Sequence, residues 1–161
     1  MSQNDINHEG IHDFDFLVGH WRIKNKRLVK YLQDSNEWEA FEATGTMNLL
    51  LGGMGNIDDF IPKNWKPGFV GMSLRLFNPK TQQWSIYWAD NDRAVLDPPV
   101  VGTFSNGVGI FEGSDTLEGK PILMRFMWSN ITPTSARWEQ EFSGDNGHNW
   151  EKNWVMDFTR A

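Results

Sequence analysis

The residues with the clearest chemical potential are an arginine and a few carboxylates that lie within apolar, alternating segments. Over residues 21–31 the polarity alternates, which places Arg27 on the same face as Trp21 and therefore in the interior of a sheet. A buried guanidinium needs a carboxylate partner or an anionic ligand group, because burying its charge alone is very costly. A structural salt bridge and a ligand anchor are both open interpretations. The candidate partners are Asp58, Asp90 and Glu42, of which Asp58 and Asp90 are preferred.

Aromatic side chains accompany these polar groups on the same predicted faces. Trp88 shares a strand face with Asp90, and Trp138 shares one with Gln140. If such faces line one interior, its wall is aromatic with a few polar groups, which suits a small ligand with an apolar ring and one polar or anionic end. The alternative is an interior filled by side chains, without a ligand. The predicted ligand-binding residues are Asn25, Arg27, Asp58, Trp88, Asp90, Trp128, Trp138 and Gln140.

The histidines suggest a zinc site or a haem ligand, and we predict neither. His8 to His12 match the H-E-x-x-H pattern of zinc proteases, but only seven residues precede the match and Gly10 weakens the helix that such a site needs. His20 alternates with inward-facing Trp21 and should point away from the interior, and His148 lies in a predicted turn. We therefore predict no metal and no cofactor, haem included.

Composition limits the classes of function. A chain of 161 residues fits one domain, and its 39% apolar content excludes a disordered chain. A net charge of −6 argues against nucleic acid or an anionic membrane surface as a partner. No apolar run approaches the roughly 20 residues of a membrane helix. The sequence has no cysteine and its start has no secretion signal, so we predict a cytoplasmic protein without disulfides.

The elements that must position these residues are strands joined by short turns. About ten segments have strand character, and helical character is confined to a short turn around Phe14 and Leu17. Asn106-Gly107 is the strongest hairpin signal. The pattern predicts an all-β fold, a single antiparallel up-and-down barrel of about ten strands with a short N-terminal helical turn, and a β-sandwich is the alternative. We predict a loose tail over residues 1–12 and the barrel domain over residues 13–161.

Five motifs spread over nearly the whole chain are familiar in combination. They are Asp13-Phe14-Asp15-Phe16-Leu17-Val18-Gly19-His20-Trp21, Leu51-Gly52-Gly53-Met54-Gly55-Asn56, Asp97-Pro98-Pro99, Arg125-Phe126-Met127-Trp128-Ser129 and Asn153-Trp154-Val155-Met156. Together they resemble the DUF1579-type family of uncharacterised bacterial proteins, whose fold is a calycin-like (lipocalin-like) barrel. The resemblance implies this fold but no particular activity. It also implies that a basic residue packs over the indole of Trp21, either Arg160 of the last strand or Arg137.

These observations leave three hypotheses for the function. The leading one is a barrel that binds a small, largely apolar or aromatic molecule with one polar or anionic end. The second is an isomerase, cyclase or hydratase on the same barrel, with Asp58 or Asp90 as the base and Arg27 holding developing negative charge. The third is a structural or dimerisation module with a filled core, which would form a homodimer. A cavity with an inward arginine–aspartate pair favours the first two.

Overall fold

The computed structural model describes residues 9–161 as one closed barrel. Ten antiparallel strands pair with their neighbours in sequence, and the first also pairs with the last. The predicted up-and-down, calycin-like barrel is therefore confirmed, and the sandwich alternative is wrong because the sheet closes on itself. The strands are β1 (Gly19–Leu28), β2 (Trp38–Leu50), β3 (Gly55–Lys63), β4 (Gly71–Asn78), β5 (Gln83–Asp90), β6 (Val100–Ser105), β7 (Val108–Leu117), β8 (Lys120–Ser129), β9 (Ser135–Ser143) and β10 (Glu151–Arg160).

Helical structure in the described residues is limited to short 3₁₀ segments. Two of them, Glu9–His12 and Asp15–Leu17, precede β1, and the second confirms the predicted N-terminal helical turn around Phe14 and Leu17. A third, Leu51–Gly53, connects β2 to β3. No helix in this part of the chain is long and apolar enough to span a membrane.

The two ends of the barrel are built differently. At one end, which we call the closed end, the N-terminal 3₁₀ segments lie beside the connections 51–54, 79–82, 106–107 and 130–134. At the other, the open end, the connections are 29–37, 64–70, 91–99, 118–119 and 144–150. Four of the five connections at the open end have seven or more residues, whereas the closed end uses only short turns between strands.

Strand alternation sends one set of side chains into the barrel, and that set is rich in aromatic rings. In β1, for example, every second residue from Trp21 to Asn25 is buried, while the basic residues that alternate with them are exposed. The largest fully buried side chains concentrate toward the closed end and are Trp21, Trp84, Trp128, Phe14 and Phe111. Burial of such large rings contributes strongly to the hydrophobic stabilisation of the barrel.

Candidate functional site

A cation–π contact fixes the closed end of the barrel. Trp21 is 2% exposed, and the guanidinium of Arg160 lies over its ring at 3.9 Å from Cζ to the ring centroid. Arg160 also donates from Nη2 to the carbonyl oxygen of Phe16 at 2.7 Å and from Nη1 to that of Val18. The predicted packing of Trp21 against Arg160 is therefore confirmed. Arg137, the alternative, instead forms a bidentate pair with Asp157.

Gly19 is needed for this arrangement. Its φ of +111° lies in a region that L-residues rarely adopt, and a Cβ there would lie 2.8 Å from Nη1 of Arg160. Glycine thus allows the backbone to approach the guanidinium closely at the start of β1. The spacing of Gly19 and Trp21 in the sequence is therefore explained by Arg160, whose guanidinium contacts both residues.

The N-terminal segment, residues 9–18, covers the closed end of the barrel. Phe14 is 1% exposed and packs edge-on against Trp84, whose Nε1 donates to the carbonyl oxygen of Gly10 at 3.1 Å. Ile11 also packs against the core. The division between tail and barrel at residue 13 stays a prediction, because residues 1–8 lie outside the described part of the chain, although Gly10 and Ile11 do contact the barrel.

A cavity of about 580 Å³ occupies the barrel interior and reaches from Leu17 near the closed end to the loops of the open end. The interior is therefore not filled by side chains, contrary to the filled-core alternative. Seven of the eight predicted ligand-binding residues line it, and the exception is Asn25. Their role in binding stays a prediction. Aromatic rings form much of the wall, among them Phe60, Trp65, Phe69, Trp88, Trp138 and Trp154.

Arg27 lines the cavity at the open end, but its carboxylate partner is Glu39. The Arg27 Nη1 to Glu39 Oε1 distance is 3.0 Å, and Glu39 also accepts a hydrogen bond from Nε1 of Trp65 at 3.0 Å. The predicted pairing of Arg27 with Asp58 or Asp90 is wrong, as is the third candidate, Glu42, because Arg27 stands directly opposite Glu39 in the β1–β2 ladder. The guanidinium is surrounded by aromatic rings within 5.5 Å of Cζ, those of Tyr31, Trp65 and Trp154.

Asp90 belongs to a second charged group at the open end. It accepts hydrogen bonds from Nε1 of Trp88 at 3.1 Å and from Arg93, which also forms a bidentate pair with Asp97. Burial alone would raise the pKa of Asp90, but the hydrogen bonds from Trp88 and Arg93 and the charge of Arg93 together lower it below 3.8. Asp90 is thus an ionised anchor for the 91–99 loop.

The most deeply buried charged pair in the cavity wall is Arg75 with Asp58, and sequence reasoning missed Arg75. The Nη2 of Arg75 lies 2.7 Å from Oδ2 of Asp58, and its Nη1 donates to Oδ1 of Asn56 at 3.0 Å. Arg75 is 3% exposed. Burial raises the pKa of Asp58 above 3.8, although the charge and hydrogen bond of Arg75 act to lower it. Alternation within β4, where Arg75 shares a face with Phe77, was the signal that would have revealed it.

Two predicted polar residues take part in buried hydrogen bonds on the β9–β10–β1 side. Oδ1 of Asn25 accepts from Nε1 of Trp154 at 3.0 Å, so Asn25 lies behind that ring and not on the cavity wall. Gln140 lines the cavity and donates from Nε2 to Oδ1 of Asn153 at 3.0 Å. These contacts fix the orientation of one aromatic ring of the wall.

Metal ligation has little support in the described residues. Over residues 9–161 no cluster of three or more His, Asp and Glu side chains is placed to hold a metal ion. His20 is exposed and its Nδ1 lies 2.9 Å from Oγ1 of Thr46, on the outer surface of the barrel. His8 of the H-E-x-x-H match lies outside the described residues, and His12 pairs with Asp15.

Comparison with known proteins finds solved structures with a similar fold. No known protein family and no curated protein matches the sequence, so the DUF1579-type assignment stays a prediction. Among solved structures, the S-type phycobiliprotein lyase CPES from Guillardia theta has a TM-score of 0.61 and 10% identity over 99% of this chain and 98% of that one. A protein of unknown function from the DUF3598 family of Nostoc punctiforme has a TM-score of 0.54 and 12% identity, over 92% of this chain and 49% of the other.

Proposed function

We propose that this barrel binds a small, largely apolar or aromatic molecule in its central cavity. The observation that carries the proposal is the cavity itself, about 580 Å³ with an aromatic wall and a few charged pairs. Cavities that hold drug-sized ligands have volumes of roughly 300–1,000 Å³ and this type of wall. The ligand would enter between the loops of the open end, because the N-terminal segment covers the closed end.

The aromatic wall favours a ligand with a flat ring system. Trp88 and Trp154 face the cavity with their Nε1 atoms already bonded to Asp90 and Asn25, so their rings offer apolar surface to a ligand. Because one neighbour in fold is a phycobiliprotein lyase, a tetrapyrrole-type molecule belongs among the compounds to test. The cytoplasmic location, the possible homodimer and the absence of a nucleic-acid or membrane partner stay predictions.

The test is a ligand screen with a cavity-blocking variant and a matched control. Flat aromatic ketones and acids, fatty acids and a linear tetrapyrrole are added to the protein, and the melting temperature and tryptophan fluorescence are followed. A ligand of the native state must raise the melting temperature. Met124→Trp should abolish the response, because Met124 lines the cavity. Met127→Trp should retain it, since this residue lies on the opposite face of β8.

The outcomes of this screen separate the proposal from its rivals. Binding that persists unchanged in Met124→Trp would contradict the central cavity as the site. A complete lack of response to every compound class would favour a structural role.

A proton-transfer enzyme is a second candidate, because Asp58 lines the cavity and has a pKa raised by burial, which suits it to act as a general acid or base. Arg75, not the predicted Arg27, would then hold developing negative charge beside it. Deuterium exchange from solvent into a bound ligand, followed by NMR, tests this activity. Loss of exchange in Asp58→Asn with binding retained would support it, and exchange that survives the substitution would contradict it.

A further inference from the structure

Arg75 has more hydrogen-bond donors than its protein partners use. A guanidinium carries five N–H groups. Two of them are used, by Asn56 and by Asp58, and the buried Nε has no partner among the described residues. Arg75 lines the cavity, so a molecule in the cavity has access to this group. A buried donor without a partner is costly, which indicates that something else in the functional protein accepts from it.

Two further unpartnered donors lie beside Arg75. Nδ2 of Asn56 is buried without a partner, and so is Nε1 of Trp128, a residue that lines the cavity and is 2% exposed. The Arg75 guanidinium lies 6.0 Å from the Trp128 ring and 5.1 Å from the Phe14 ring. Asn56 does not line the cavity and serves as a partner of Arg75, so we call the two buried side chains that line the cavity and keep a free donor, Arg75 and Trp128, the donor cluster.

The charge of the cluster limits the acceptor that fits it. Asp58 already supplies one negative charge to Arg75 at 2.7 Å. A ligand carboxylate placed here would add a second negative charge to a site with one cation, and an uncompensated buried charge is strongly unfavourable. A carbonyl oxygen accepts the same hydrogen bonds without a net charge.

We propose that the donor cluster binds a neutral carbonyl oxygen of the ligand, so that the ligand is an aromatic ketone, ester or amide that enters with its carbonyl end toward the closed end. This inference rests on the proposed function, because it requires a ligand in the cavity. It narrows the polar or anionic end of the leading hypothesis to a neutral polar acceptor. The other aromatic rings of the wall then hold the ring system of the ligand.

Three probes of nearly the same shape test the proposal. These are 2-acetylnaphthalene, which carries the carbonyl, 2-isopropylnaphthalene, which has no acceptor, and 2-naphthoate, which carries a charge. Their dissociation constants for the full chain are measured by titration of tryptophan fluorescence. We expect the ketone to bind about tenfold more tightly than the hydrocarbon, and the carboxylate to bind more weakly than the ketone by a similar factor.

A pair of tryptophan variants localises the effect. Trp128→Phe removes one cluster donor and keeps a ring, so the affinity ratio of ketone to hydrocarbon should fall by about threefold to tenfold. Trp138→Phe is the matched control, because its ring lines the same cavity but packs against Phe126 and Trp154. There the ratio should stay constant, even if all three probes bind more weakly.

A spectroscopic readout adds a test that packing alone would not pass. In an ¹⁵N-labelled protein the nine tryptophan indoles give separate N–H signals, and Trp128→Phe identifies one of them. The ketone should shift that signal downfield as the indole N–H gains an acceptor, and the hydrocarbon should not.

Each outcome decides either the inference or the proposed function. Equal binding of ketone and hydrocarbon overturns the carbonyl inference and leaves the cavity as a binding site. Tighter binding of the naphthoate overturns the choice of a neutral group. Failure of all three probes, the hydrocarbon included, counts against the proposed function and removes the basis of the inference with it.

Discussion

The closed and open ends of the barrel use the same residue types for different purposes. At the closed end, Arg160 bonds to backbone carbonyls and covers Trp21, and the cluster around Arg75 is almost fully buried. At the open end, Arg27 and Arg93 pair with carboxylates in partly exposed positions. Because removing one partner of a buried contact costs far more than removing one partner of an exposed contact, we expect the closed end to dominate the stability of the fold, whereas the open end is where the proposed ligand would enter.

Replacing one tryptophan at each end tests this difference most strongly. Trp21→Ala should lower the free energy of unfolding by about 3–5 kcal/mol, because it removes a large buried ring and its cation–π contact. Trp65→Ala at the open end should cost about 1 kcal/mol, since the ring is only partly buried. Denaturant unfolding measures both. Similar losses for the two variants would remove the distinction between the ends.

Replacing one arginine at each end tests the distinction for charge. Arg75→Met leaves Asp58 buried without its partner and should cost about 3–5 kcal/mol, much of which Arg75→Met with Asp58→Asn should recover. Arg27→Met should cost about 1 kcal/mol or less, because the Arg27–Glu39 pair is partly exposed. Chemical denaturation of these three variants and of Asp58→Asn measures the losses. The single variants Arg75→Met and Asp58→Asn form a double-mutant cycle with their double variant. A double variant no more stable than Arg75→Met would argue against a coupled pair.

Asp58 and Asp90 have pKa values shifted in opposite directions, so the pH dependence of stability also distinguishes the two ends. Because the folded-state pKa of Asp58 is raised, its contribution to stability is present below pH 3.8 and is lost as the pH rises through that pKa. The folded-state pKa of Asp90 is lowered, so its contribution is present above pH 3.8 and is lost as the pH falls. NMR titration of the carboxyl carbons should therefore give Asp58 the higher pKa. The reverse order would show that the pair with Arg75 outweighs the burial of Asp58.

The smallest effect on stability is expected from the ionisation of Tyr31. This residue is a largely buried titratable group at the open end, as Asp58 is near the closed end. Burial raises the pKa of this phenol to about 12, although the charge of Arg27 acts to lower it. The stability that it contributes is present below pH 10 and is lost as the pH approaches 12. Ultraviolet titration should show a tyrosine transition near pH 12 in the native protein that is missing from Tyr31→Phe. A transition of Tyr31 near pH 10 would place this residue in solvent.

The fold was predictable because its signals are local. The Asn106-Gly107 turn lies between β6 and β7 as expected, and the alternation from Trp21 places Arg27 at the cavity. The contact between Trp21 and Arg160 followed from the resemblance to a barrel family and not from local pattern. Register could therefore be inferred only where a short turn or a known motif specified it.

The ion-pair partners within the site were not predictable, because they depend on strand register that no short turn or known motif specifies. Arg27 meets Glu39 across the 29–37 connection, which is too long for any turn type to set the register of the two strands. Asp58 meets Arg75 between neighbouring strands joined by the irregular 64–70 loop. Alternation gives the face on which a residue lies, but the depth at which it meets its partner depends on barrel stagger, which the sequence does not reveal.

The seam between β1 and β10 has a kinetic consequence. Arg160 bonds to the carbonyl of Val18 across a separation of 142 residues, so this contact forms only after a very large loop has closed. Until then the chain is an open sheet whose first and last strands expose unpaired backbone groups. Folding should be slow, as it is for proteins dominated by distant contacts. A weakened seam would favour strand exchange between two copies. We therefore expect aggregation to start from the partly folded state, in which β1 and β10 are still unpaired, and not from the closed barrel.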